Sequence, residues 1–194
     1  MNLKNNFDIK YKIPKPKNYK KYNIGIIGAG NIVENSHLPT YLDHNLNIIN
    51  IYDADTNKSK LLKDKFNIQK YSKNLDEFLN DKSIDIVDIA VPAKYNKELF
   101  FEALKYNKNI LIQKPLSDNI KTGLDILKKY QETNLKANVN HQMRYSPSIS
   151  AAGYLIKNNM LGNILEFNFY TKRKTDWSIW PWLDKIKYPE LWYN

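Results

Sequence analysis

The sequence predicts a doubly wound parallel α/β sheet, and three observations point to it. From Tyr22 to about residue 140, short apolar runs alternate with stretches of helical periodicity. That is the rhythm of βαβ units, in which strands are parallel and crossovers right-handed. The first apolar run ends in glycines, Gly28-Ala29-Gly30. The later runs close at Asp53, Pro92 and Gln113-Lys114-Pro115, so polar or chain-breaking residues mark the same end of successive strands.

Taken in order, Ile24 to Ile27 reads as a buried strand, followed by a helix from Asn31. Leu46 to Tyr52 is a second strand, after which Thr56 is placed to cap a helix carrying Leu62 and Phe66 at i, i+4. Asn74 and Glu77 have capping-box spacing ahead of Phe78 and Leu79. Ile84 to Val91 is a third strand, and Lys94 to Tyr106 a helix with Leu99, Ala103 and Leu104 on one face. Asn109 to Gln113 is a fourth strand, and Asp118 is expected to cap a helix whose inward stripe is Ile120, Leu124 and Leu127. Leu135 to Val139 is a fifth strand.

Beyond about residue 141 the rhythm breaks. Pro147 to Met160 reads as a helix with Ile149, Ala152, Ile156 and Met160 facing inward, and Ile164 to Tyr170 alternates like a half-exposed strand. The expected division is a basic arm over 1–21, with Pro14 and Pro16 holding it extended, a dinucleotide-binding domain over 22–140, and the beginning of an incomplete second α+β domain over 141–194. A lone strand exposes an unpaired edge. Leu165, Phe167, Phe169 and the tryptophans Trp177, Trp180, Trp182 and Trp192 are therefore expected to leave an uncovered aromatic surface.

Composition excludes several classes. The 194 residues suffice for one domain and part of another, and the absence of cysteine removes disulfides, thiolate metal ligands and a cysteine nucleophile. No metal site is expected. No apolar stretch is long enough to span a membrane, and Met-Asn-Leu-Lys-Asn-Asn-Phe is not a signal peptide, so a cytoplasmic protein is expected. The net charge of +10 comes from lysines spread along the chain rather than a basic helix or an aromatic RNA-binding signature, so no nucleic-acid partner is expected.

The chemistry starts at Gly28 to Val33. Gly28 suits a tight strand-to-helix turn, and Gly30 lets backbone N–H groups approach a pyrophosphate at the positive end of the helix. Val33 stands at the third glycine position. An acid closing the next strand, Asp53, completes the Rossmann-type pattern. Its carboxylate accepts from adenosine ribose hydroxyls and repels a 2′-phosphate, and Ala54, Asp55, Thr56 and Asn57 supply no arginine, so NAD is expected over NADP. Asp53 or Asp55 is also placed to cap the next helix. Lys114 ends the fourth strand, where ligands of doubly wound sheets bind; its ammonium would hold a substrate hydroxyl and lower that hydroxyl's pKa. His141, with Arg144 and Tyr145 nearby, is expected to border the substrate, His37 to be structural and His44 to lie on the surface.

The motifs Gly28-Ala29-Gly30-Asn31-Ile32, His37-Leu38-Pro39, Asp53, Pro92, Gln113-Lys114-Pro115, Arg144-Tyr145-Ser146-Pro147 and Leu161-Gly162-Asn163-Ile164 occur in one order over roughly 22–170. In this the chain resembles the Gfo/Idh/MocA family of oxidoreductases. The resemblance implies a catalytic Lys114 and a cis Lys114–Pro115 bond. It implies cofactor binding by Gly28, Ala29, Gly30, Asn31, Ile32, Asp53, Pro92 and Lys114. The substrate implied is a sugar, cyclitol or related polyol, and the full-length form is expected to be a homo-oligomer. Gln113 replaces the family's usual glutamate, and Asn96 stands where a histidine is often found. The family's Asp-x-x-x-His segment has no match, and its place would lie just past residue 194. Those departures leave a non-catalytic, cofactor-binding sensor of the same fold as the alternative.

Overall fold

A computed structural model describes residues 21–168 and 170. The chain divides into two compact units at Ala152 and Gly153. In the first, six parallel strands form one sheet: β1 (Asn23–Ile27), β2 (Asn47–Tyr52), β3 (Lys70–Tyr71), β4 (Ile86–Ile89), β5 (Asn109–Gln113) and β6 (Ala137–Asn140), in the order β3-β2-β1-β4-β5-β6. The chain winds outward from β1 in one direction, then returns to start the other half at β4. The β1/β4 junction is therefore the switch point of a Rossmann sheet, where ligands of such folds bind.

Two apolar clusters flank the sheet. On one side Ile24 and Ile26 of β1 and Ile51 of β2 pack with Val33, Leu38 and Leu62. On the other, Ile27, Val87, Ile89, Ile110 and Ile112 pack with Phe78, Leu79, Phe100, Ala103, Leu104 and Ile126. Val33 comes from the π-helical turn Val33–His37, and the other helical side chains from α1 (Leu38–Asp43), α2 (Thr56–Lys65), α3 (Leu75–Leu79), α4 (Asn96–Lys105) and α5 (Ile120–Gln131). Strands covered on both faces are near-continuous apolar runs, which is why β1 and β4 read so plainly from the sequence.

Several local expectations are corrected. A two-residue strand at Lys70–Tyr71 was not anticipated, because it carries no alternating run. Asp55, not Thr56, caps α2, accepting from Asn57 N–H at 3.1 Å. Asn119, not Asp118, caps α5, accepting from Thr122 N–H at 2.9 Å. The α5 stripe is also displaced. Ile120, Leu124 and Leu127 are 82%, 60% and 48% exposed, and the buried contact is Ile126. Apolar residues occupy more than one side of this helix, so periodicity alone could not choose the packed face. α6 runs Pro147–Lys157 and has no buried residue, so the inward stripe expected there is absent. No strand forms over 164–168; the segment is irregular, with Leu165 96% and Phe167 64% exposed. Residues 1–20 of the basic arm, Phe169 and the four tryptophans lie outside the described residues.

Candidate active site

The pairing register aligns the strand ends that matter. Tyr52, Ile27, Ile89, Ile112 and Val139 form one row across five strands. One residue further along each strand come Asp53, Gly28, Ala90, Gln113 and Asn140, with Lys114 following Gln113 and His141 following Asn140. The glycine loop, the acid of β2 and the lysine of β5 therefore share the carboxyl edge of the sheet.

The loop is built from two unlike glycines. Gly28 has φ +108°, and a Cβ there would run into the carbonyl of Ala90; its N–H donates to the Tyr52 carbonyl at 2.7 Å. Only glycine suits that position. Gly30 is exposed, and a Cβ added there would meet nothing within 4 Å. No protein atom therefore requires a glycine there, and the space beside it is open. The helix that follows starts at Asn31 and is wound as a π-helix over Val33–His37 before α1. The first N–H groups of a helix lack intrahelical acceptors, and Gly30, Asn31 and Ile32 are exposed there. Ala29, Val33 and Leu38 anchor this segment in the core, Val33 with 0% exposure.

Asp53 holds the loop from the neighbouring strand. Its Oδ2 accepts from Ala29 N–H at 2.7 Å and its Oδ1 from Asp55 N–H at 2.9 Å. Burial, and then the Asp53 charge, push the adjacent Tyr52 phenol above its usual pKa. The open face at Gly30, the exposed start of the helix and the acid beside it fit a dinucleotide, with the pyrophosphate at the helix N-terminus.

Lys114 is exposed, and its bond to Pro115 is cis. Its backbone is held on both sides. Lys114 N–H donates to Gln113 Oε1 at 2.8 Å, and Asn96 Nδ2 donates to the carbonyls of Pro115 at 3.0 Å and Leu116 at 3.1 Å. Pro92 is exposed just past β4 and precedes the 3₁₀ turn Ala93–Tyr95. His141, Arg144 and Tyr145 lie exposed in and before the 3₁₀ turn Gln142–Tyr145. His141 also borders an apolar groove lined by Ile112, Ile126, Leu127 and Val139.

A family model described as "Oxidoreductase family, NAD-binding Rossmann fold" matches residues 22–141. The chain belongs to the Gfo/Idh/MocA family of oxidoreductases. It is 31% identical over 135 residues to an uncharacterized protein of Saccharomyces cerevisiae, covering 67% of this chain and 38% of that one. It is 26% identical over 152 residues to glucose-6-phosphate 3-dehydrogenase of Bacillus subtilis, covering 78% and 43%. The solved structure of levoglucosan dehydrogenase in complex with NADH and levoglucosan superposes with a TM-score of 0.68 at 22% identity, over 74% of this chain and 41% of that one. The chain thus spans less than half the length of these relatives. The likeness to the last of them is one of fold.

Within this Gfo/Idh/MocA domain, one site-edge residue, Asp88, is not among the candidates the sequence offers, and two others, His37 and Asn96, gain contacts that only the fold supplies. Asp88 is buried inside β4, where Oδ2 lies 2.6 Å from His37 Nδ1 and accepts from Tyr41 OH at 2.8 Å. Asn96 is the clamp on the Lys114 loop, and His37, expected to be structural, lies 3.0 Å from Gln113 Nε2. A signal existed for Asp88: an acid inside an otherwise apolar strand requires buried partners.

Proposed function

We propose that this chain is the cofactor-binding part of an NAD-dependent oxidoreductase acting on a secondary alcohol of a sugar, cyclitol or related polyol. The observation that carries the proposal is the shared edge: the glycine loop, Asp53 and Lys114 follow strand ends in one aligned row. Gly28, Ala29, Gly30, Asn31 and Ile32 would hold the pyrophosphate, Asp53 the adenosine ribose, and Pro92 would border the cofactor beyond β4. The substrate class comes from the family and from the named dehydrogenases among its relatives.

When bound, the nicotinamide supplies hydride chemistry. The protein supplies position and proton handling. Lys114 projects from a backbone fixed by Gln113 and Asn96. An ammonium there hydrogen-bonds the substrate oxygen and stabilises the charge that develops on it. His141, Arg144 and Tyr145 follow the neighbouring strand and would bind the remaining hydroxyls.

The test is titration with NADH, followed by a turnover screen of the protein with a panel of sugars and cyclitols and NAD. Cofactor binding together with oxidation of one such alcohol supports the reading. Tight NADH binding with no turnover on any of them would favour a sensor.

A further inference from the structure

Gln113 lies between the backbone of Lys114 and a buried histidine, and its hydrogen bonds fix more than its own orientation. The Lys114 N–H can only donate, so the amide oxygen it meets at 2.8 Å is correctly Oε1. The other end of the Gln113 amide is therefore the NH₂, 3.0 Å from His37 Nε2. An NH₂ also only donates, so Nε2 must be a bare acceptor. The ring proton then sits on Nδ1 and points at Asp88 Oδ2, 2.6 Å away. Every donor in this chain faces the same way, from Lys114 through Gln113 and His37 to Asp88.

The far end is built to hold that direction. Asp88 is 1% exposed, and Oδ2 accepts from both His37 and Tyr41 while Oδ1 has no partner among the described residues. Among the described residues, His37 hydrogen-bonds Asp88 from β4 and Gln113 from β5, and the Tyr41 ring lies 5.9 Å from the imidazole. Burial first, then the charge and hydrogen bond of Asp88, push the Tyr41 phenol far up, so it remains a donor.

We propose that Gln113 is a positioning residue for Lys114: it locks His37 as the Nδ1–H imidazole and ties the Lys114 backbone through it to the buried carboxylate of Asp88. Aligned hydrogen bonds polarise and strengthen one another, so the backbone under Lys114 is anchored in the core while its side chain remains in solvent. A glutamate at 113 would still accept from Lys114 but has no N–H for His37. The ring would then need a second proton, and the chain would lose its single direction. This consequence for catalysis rests on the role proposed for Lys114, but the tautomer does not, and it is read without turnover.

The experiment is NMR of the protein with ¹⁵N-labelled histidines, the His37 signals assigned from a His37 variant, with exchange of the Lys114 amide followed on uniformly labelled protein. The expected result is a protonated Nδ1 and an unprotonated Nε2 at neutral pH. Gln113→Glu should give His37 the doubly protonated signature while leaving the Lys114 amide protected. Gln113→Ala should speed exchange of that amide by about five- to tenfold, the scale of one net hydrogen bond. A His37 ring protonated at Nε2 in the unsubstituted protein would overturn the proposal, as would a Lys114 amide indifferent to Gln113→Ala. If both NMR results hold and Lys114→Ala leaves turnover unchanged, the functional reading fails and the hydrogen-bond chain stands.

Discussion

The carboxylate of Asp53 is fastened to the backbone of Ala29, accepting its N–H at 2.7 Å, so the acid ending β2 also shapes the loop that follows β1. With Asp55 N–H on its other oxygen, two backbone donors hold the carboxylate in place. Each oxygen retains a lone pair for a ribose hydroxyl. NAD(H) should therefore bind more tightly than NADP(H), and Asp53→Ala should weaken NADH binding by both losing the ribose acceptor and freeing the loop. Fluorescence titration with both cofactors decides it, and equal or tighter NADP(H) binding would sink the assignment.

The two loop glycines should respond differently to the same methyl group. Gly28→Ala sets a Cβ against the Ala90 carbonyl at a φ that disfavours side chains, so the protein should be destabilised by about 1–3 kcal/mol or more. Gly30→Ala meets no protein atom. It should leave the urea midpoint nearly unchanged yet weaken NADH binding at least tenfold. A Gly30→Ala protein that binds NADH normally would show that the pyrophosphate lies elsewhere.

Lys114→Ala should lower turnover by roughly 10²–10⁴, the range of lost acid–base assistance, with little change in cofactor affinity. Steady-state kinetics and NADH titration of the same variant separate the two effects. Collapsed affinity with turnover per bound cofactor intact would make Lys114 a binding residue.

Asn96 carries two hydrogen bonds to the loop after Lys114. Asn96→Ala leaves the carbonyls of Pro115 and Leu116 without that donor. The expected cost is about 1–3 kcal/mol in chemical denaturation. No loss of stability would mean the clamp is not needed to hold the loop.

At acid pH, Asp81 should matter. Burial opposes its ionisation, but hydrogen bonds from Lys70 and Ser83 and the charge of Lys70 outweigh this, bringing the carboxyl down to about 2. An unfolded aspartate titrates near 3.9. Asp81 thus contributes stability that is complete above about pH 4 and is lost as pH falls toward about 2. Asp81→Asn should flatten stability across that window, measured as urea midpoints from pH 2 to 5.

The order of five of the six strands along the chain (all but the two-residue β3), the ends of β1, β2 and β5, and the positions of the glycine loop, Asp53 and Lys114 were all determined by the sequence alone. These are local matters: buried parallel strands are apolar runs, and a turn at φ +108° needs the glycine found at Gly28. Adjacent candidates for one cap, Asp55 beside Thr56 and Asn119 beside Asp118, differ by a single residue in backbone geometry that neither side chain reveals. The expected α5 stripe of Ile120, Leu124 and Leu127 failed for the same kind of reason, since Ile126 and Leu124 are equally apolar and only packing selects Ile126. The tertiary structure alone joined His37 to Asp88, 51 residues away, and to Gln113, 76 residues away. Contacts across such separations depend on the β1-β4-β5 register, and nothing in the local pattern around His37 encodes which strands will lie beneath it.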